Sequence, residues 1–186
     1  MKLFIILGFS LILAVGTILY MKQQSDGPLP KLVNPHLRIN KQKRTLEVFD
    51  EGKRLRSYPI SLGFAPNGDK EVEGDGKTPE GEFYVFTKNP ESAFFLSLGL
   101  SYPNSEDARR GLRDGLISQA EHDEIVDAIS NKLMPPQKTK LGGEIYIHGG
   151  GCQKDWTAGC VALENEKMKE LFDAIEVGTP VFIVPK

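Results

Sequence analysis

A chain of 186 residues with 40% hydrophobic and 26% charged residues holds enough apolar material for one ordinary globular domain. Its formal net charge of -2, dispersed along the chain, excludes the basic stripe that nucleic-acid binding by phosphate neutralisation requires.

From the amino terminus, LFIILGFSLILAVGTILYM (Leu3 to Met21) runs without a charge between Lys2 and Lys22. As a helix it spans roughly 28 Å, about one hydrocarbon core. A cleaved secretory signal and an uncleaved anchor both fit, and both carry the remainder across a membrane. The anchor is the expectation adopted, because the apolar run continues past Ala14 and Gly16 through Ile18, Leu19 and Tyr20. The predicted organisation is a membrane helix at 1–22, a linker at 23–36 rich in proline and polar residues, and a catalytic domain at 37–186. The expected location is the cytoplasmic membrane, crossed once, with the domain on its outer, periplasmic side.

Short alternating runs between turn residues then predict a mostly β core. They are TLEVF (45–49), the DEGK turn, YPISL (58–62), EFYVF (82–86), FFLSLGL (94–100), EIYIH (144–148) and PVFIV (180–184). Two helices are predicted. Ser118 with Glu121 forms a capping-box signature ahead of Ile125, Val126, Ile129 and Leu133, and Pro135 with Pro136 ends the run. Asn165 is the predicted cap of a second helix carrying Met168, Leu171, Phe172 and Ile175, which stops before Gly178. Both stripes read as core packing. The glycines and Pro79 of EGDGKTPEG read as turn formers, and Asp75 and Lys77 are not expected to be catalytic.

The two cysteines share one stretch with a histidine, IYIHGGGCQKDWTAGCVAL. An ordinary thiol is only roughly 3 per cent ionised at pH 7, and the thiolate is the attacking species. A histidine at a strand end, His148, can meet the Cys160 thiol if the loop opened by Gly149, Gly150 and Gly151 folds back. Gly159, just before Cys160, lets successive N–H groups converge on one point, as an oxyanion requires. Thr157 is a further candidate substrate or oxyanion contact, and Trp156 either lines the groove or caps the core.

The segments EGDGKTPEGEFYV (73–85), LSLGLSYPN (96–104), GGEIYIHGG (142–150) and DWTAGCVAL (155–163) resemble the YkuD-like L,D-transpeptidases, in the family's order. The resemblance implies an antiparallel β-sandwich or barrel-like catalytic domain with Cys160 as nucleophile and His148 as base. It also implies a Gly149 backbone carbonyl orienting that ring, peptidoglycan stem peptides as substrate, and no cofactor. Many members carry serine, histidine, glycine, cysteine, a hydrophobic residue and arginine. Here Thr157, Ala158, Gly159, Cys160, Val161 and Ala162 stand instead, which puts in doubt any contact the second histidine and the arginine would make. The shorter GCVAL ending resembles a branch that includes cross-linking enzymes and enzymes that release a wall-bound protein, so a wall-linked lipoprotein is one expected partner. Two other readings stay open. One is a zinc site of His148, Cys152 and Cys160, whose spacings match no common zinc pattern. The other is an inactive wall-binding module. Cys152 and Cys160 are expected to be reduced in the active enzyme, with a reversible disulfide as the alternative.

Overall fold

The two-residue period of PHLRIN and TLEVFD is carried straight into the sheet. In the computed structural model, which describes residues 27–186, β1 (Pro35–Asn40) and β2 (Thr45–Asp50) pair antiparallel with Leu37 opposite Val48 and Ile39 opposite Leu46. All four side chains are fully buried, while Arg38 between them is exposed. Side chains of this size stabilise by about 1.5–3 kcal/mol each when buried. The DEGK turn joins β2 to β3 (Lys53–Pro59), with Glu51 and Gly52 both at positive φ. That is the backbone a two-residue hairpin turn of matching twist requires.

The last strand in sequence, β8 (Pro180–Val184), lies parallel to β1 and sets Val181 beside Leu37 and Ile183 beside Ile39. On its other side runs β4 (Gly81–Ser92), whose first residues pair with β8. The remainder of β4 pairs with β5 (Phe95–Leu100), followed by β6 (Tyr146–His148) and β7 (Val161–Ala162). The order is β3-β2-β1-β8-β4-β5-β6-β7.

This is one open, mixed sheet, and it corrects the expected antiparallel sandwich or barrel. The β1–β8 and β6–β7 pairs are parallel. Between β3 and β7 there is no continuous ladder among the described residues, and the segments around them meet through the isolated bridges Ser61–Ala162 and Gly63–Thr157 and loop hydrogen bonds, so the sheet does not close. The strand expected at 58–62 is displaced for the same reason: β3 ends at Pro59, and Ile60 to Leu62 leave the ladder to reach the nucleophile loop.

Three helices, one more than predicted, occur among the described residues: α1 (Ser105–Arg113), α2 (Gln119–Ser130) and α3 (Asn165–Ala174). The Ser118–Glu121 capping box at α2 is present as expected, and Asn104 with Asp107 forms a second one at α1. Helix α2 stops at Ser130, which leaves Leu133 exposed beyond it instead of on the helical stripe. Ala108, Ile117, Ile125 and Leu141 make a small core under α1 and α2. Tyr84 and Tyr102 tie this region to the sheet by donating their hydroxyls to the Leu133 and Leu141 carbonyls at 2.6 and 2.9 Å. Helix α3 buries Met168 and Leu171, as its spacing requires.

The chain divides into two units, Met1–Pro30 and Lys31–Lys186, and residues 27–30 of the first carry neither helix nor strand. The apolar run at 3–21 lies outside the described residues. Among the described residues no helix is long and apolar enough to cross a membrane.

Candidate active site

The ladder between β6 and β7 places His148 opposite Ala162, one alternation beyond Cys160. Cys160 immediately precedes β7, so this register brings it to the end of the strand that lies alongside His148. The Cys160 Sγ accepts from the Tyr146 N–H and donates to the Glu144 carbonyl, each at 3.4 Å. Among the described residues no direct hydrogen bond joins this thiol to the imidazole. Burial pushes the thiol above its ordinary pKa and outweighs the opposing Tyr146 amide.

His148 is buried, and its Nδ1 lies 2.6 Å from the Gly149 carbonyl. A carbonyl oxygen can only accept, so Nδ1 carries the proton and Nε2 is the basic nitrogen. Burial pulls the imidazole below its ordinary pKa against the effect of that carbonyl, which favours the charged form. At neutral pH burial therefore favours a neutral thiol and a neutral imidazole. The reactivity of the thiol should follow: the rate of Cys160 alkylation by iodoacetamide, read by intact mass, is expected to climb only as pH passes the ordinary thiol value of 9.0. A plateau already at pH 6 would instead mean a preformed thiolate.

The turn carrying the nucleophile is built by Thr157, whose buried hydroxyl donates to the Cys160 carbonyl at 2.7 Å and accepts from the Gly159 N–H at 3.2 Å. Through these two bonds it shapes the loop. Gly159 has φ of +138°, and a Cβ there would lie 2.8 Å from the Lys77 carbonyl oxygen. Gly159→Ala is accordingly expected to cost about 1–3 kcal/mol and to lower turnover about a hundredfold by shifting the thiol. Thermal melts and a turnover assay on the same preparation check both effects.

Behind the turn, Asp155 receives Arg44 through Nε and Nη2 and the Leu62 N–H at 2.9 Å. Burial opposes its charge, but Arg44 and the Leu62 amide prevail and hold the carboxyl below its ordinary pKa. The Trp156 and Thr157 amides then bond the Leu62 carbonyl, and the Phe64 amide bonds the Thr157 carbonyl.

Trp156 is half-buried beside the glycine loop. Its indole N–H donates to the Gly151 carbonyl at 3.1 Å, and its ring meets His148 edge-on at 5.6 Å. Asn165 corrects the cap expected of it: Glu164 takes the N-cap position of α3 without a side-chain bond, while Asn165 Oδ1 accepts from the Gly150 N–H at 2.9 Å. The predicted helix cap thus braces the glycine loop. Phe94, Glu144, Arg44 and Asp155 also support the site without being foreseen as site residues, because their partners lie far away in sequence. Glu144 and Asp155 stood inside quoted segments, and the acidic residue just before Trp156 was the available signal.

Among the described residues no three or more His, Cys, Asp or Glu side chains are gathered to hold a metal ion. The ligand set of the zinc reading is dispersed. The Cys152 thiol faces Glu164 Oε1 at 3.8 Å, whereas that of Cys160 faces the Glu144 carbonyl, and both cysteines are free thiols.

A family model of the YkuD L,D-transpeptidase catalytic domain matches residues 34–183. No curated protein matches the chain. Solved structures with a similar fold include Bd1075 of Bdellovibrio bacteriovorus, at 23% identity and a TM-score of 0.54, over 82% of this chain and 48% of that one. The helical cell shape determining protein Pgp2 of Campylobacter jejuni is similar at 22% identity and a TM-score of 0.56, over 90% and 55%. An L,D-transpeptidase of Stackebrandtia nassauensis gives 14% and 0.50, over 87% and 60%. This chain spans about half the length of the first two. Since the matched residues run from β1 into β8 and include Cys160 and His148, the chain belongs to the YkuD family of L,D-transpeptidase catalytic domains.

Proposed function

We propose that this chain is a peptidoglycan L,D-transpeptidase that works through a Cys160 thioester, with His148 as general base and then general acid. The observation that carries the reading is the parallel β6–β7 register, which sets His148 opposite Ala162, two residues past Cys160, with Nδ1 committed to Gly149 so that Nε2 is the proton acceptor.

In the first step the thiol turns from the Glu144 carbonyl, Sγ attacks the carbonyl carbon at an L-configured centre of a stem peptide, and the thiol proton passes to Nε2. The tetrahedral oxyanion needs a donor. With the Gly159 N–H already held by Thr157, the Cys160 N–H is the donor this mechanism assigns to it. Collapse breaks the C–N bond, and His148 returns its proton to the departing D-amino acid amine. An incoming amine then attacks the thioester and loses a proton to Nε2, and the thiol is regenerated as the amide forms. Water in place of that amine gives hydrolysis. The chemistry requires neither metal nor organic cofactor.

The acceptor amine belongs either to a second stem peptide or to a wall-linked lipoprotein. The apolar run at 3–21 supports an anchored chain with this domain on the outer side of the cytoplasmic membrane. Product analysis tests the whole reading. Defined tetrapeptide muropeptides and protein-linked muropeptides are incubated with the chain, and the joined or released species are identified by mass. Cross-linked dimers or freed protein are expected. Binding of wall fragments without turnover would reduce the chain to a binding module.

A further inference from the structure

The β4–β5 hairpin turns over only Ala93 and Phe94, with Ser92 paired to Phe95 and the Phe94 N–H held by Ser92 Oγ at 3.2 Å. Its tip is fixed against the base. Ser97 lies opposite His148 in the ladder, and the Gly149 N–H donates to the Leu96 carbonyl at 3.2 Å. From this tip the Phe94 ring stacks on the imidazole, with centroids 4.7 Å apart and planes 26° from parallel. Trp156 meets both rings edge-on, at 5.4 Å from Phe94 and 5.6 Å from His148. Aromatic arrangements of this kind are favourable beyond the area they bury.

Phe94 is 47% exposed, so core burial is not what holds it in place. The same tip also presses on the residue that orients the base. A Cβ on Gly149 would lie 2.9 Å from the Phe94 carbonyl oxygen and 3.1 Å from the Phe95 Cβ. Ring and backbone of one short turn therefore bear on both the imidazole and the carbonyl it is bonded to.

We propose that Phe94 is a positioning residue of this site: its ring roofs the His148 imidazole, holds it in plane with the Gly149 carbonyl and screens it from bulk water. The inference rests on the reading of His148 as the base. The groups packed against that imidazole are the Phe94 and Trp156 rings and the Gly149 carbonyl, with Ser97 and Ala162 as its cross-strand neighbours and the Cys160 thiol, two residues before Ala162, as the titratable group of the adjoining segment. None of them is charged. The burial that keeps His148 uncharged is supplied in part by a ring that can be removed without altering any titrating group.

The test uses the full chain in detergent with Phe94→Ala, Phe94→Leu and Phe94→Tyr. Steady-state turnover on a muropeptide donor is measured beside an NMR titration of the imidazole signals, where His36 and His122 serve as references. Phe94→Ala is expected to lower kcat about tenfold with KM within twofold, and to move the His148 titration upward toward that of a water-exposed imidazole. Phe94→Tyr, which keeps the ring, is expected to restore both readouts. If Phe94→Ala fails to fold, Phe94→Leu, apolar but without the stacking plane, carries the same two measurements. A change in KM alone, or an unmoved His148 titration in a folded variant, overturns the proposal. A fully active His148→Gln would remove the reading it rests on, and the titration result would stand separately.

Discussion

Replacing Cys160 with alanine is expected to lower acyl transfer by about a thousandfold or more, because no other group in the site can form the covalent intermediate. The fold should tolerate the change. The thiol makes two long hydrogen bonds at 3.4 Å, and their loss is worth about 1 kcal/mol or less. Activity and stability are therefore expected to separate cleanly. Intact-mass spectrometry after treatment with a carbapenem, a reactive acyl donor, gives the direct readout: one adduct on the wild-type chain and none on Cys160→Ala. An adduct that persists on the variant would move the nucleophile elsewhere, with Cys152 the first residue to examine. Cys160→Ser is expected to lie close to alanine, since a hydroxyl beside a neutral imidazole in this geometry is a much weaker nucleophile than a thiol.

The second large effect is expected at Lys41, which takes no part in the chemistry. Its ammonium is buried at 3% exposure and bonds the Gly68 carbonyl, the Thr78 carbonyl at 2.7 Å and Glu80 Oε1 at 2.9 Å. Lys41→Met leaves those acceptors with no donor in place of the ammonium. The expected loss is about 2–4 kcal/mol, kept below the full cost of an isolated buried charge because Glu80 is 21% exposed. Against a typical total stability of about 5–15 kcal/mol this is large, and a denaturant midpoint will show it. The damage should reach the nucleophile as well. The Thr78 hydroxyl accepts from the Gly63 N–H at 2.9 Å, Gly63 bridges to Thr157, and the Lys77 carbonyl abuts Gly159. A double variant, Lys41→Met with Glu80→Leu, is expected to regain part of the stability, since it also removes the unpaired carboxylate. No recovery would mean that the two backbone carbonyls, and not the carboxylate, are what Lys41 serves.

Much of this site was legible in the residues because its two reactive groups are neighbours in sequence. His148 ends one strand and Cys160 leads into the next, and the parallel pairing of those two strands brings the two residues into neighbouring register. The groups that brace them were not legible, since Phe94, Arg44 and Asn165 arrive through strand register and helix docking. Alternation in a strand tells which face a side chain takes and is silent about which strand will lie alongside. For the same reason most strands were found, but β1, the two-residue β7, the parallel pairings these two make and the open sheet were not.

The helices show a similar division. Ser118 and Glu121 announced α2 because an apolar stripe follows them. Asn104 and Asp107 carry the same capping chemistry, but α1 buries small residues such as Ala108 and Gly111 and is held by ion pairs of Arg110 with Asp69 and Asp107. A helix fixed by charge offers no stripe to count. Asn165 misled for the opposite reason. Its side chain suits a helix start, and in the fold its amide oxygen goes instead to a loop N–H that no local pattern could offer.

The position of β8 has a consequence for how the polypeptide matures. Among the described residues, 180–184 form the only strand laddered to both the β1–β3 meander and β4, which leads on to β5, β6 and β7. Until those residues have left the ribosome, the earlier segment has no seam along which to join the later one. A sheet assembled in this order stays unjoined until its final strand arrives, and deletion of that strand should leave two half-sheets prone to degradation.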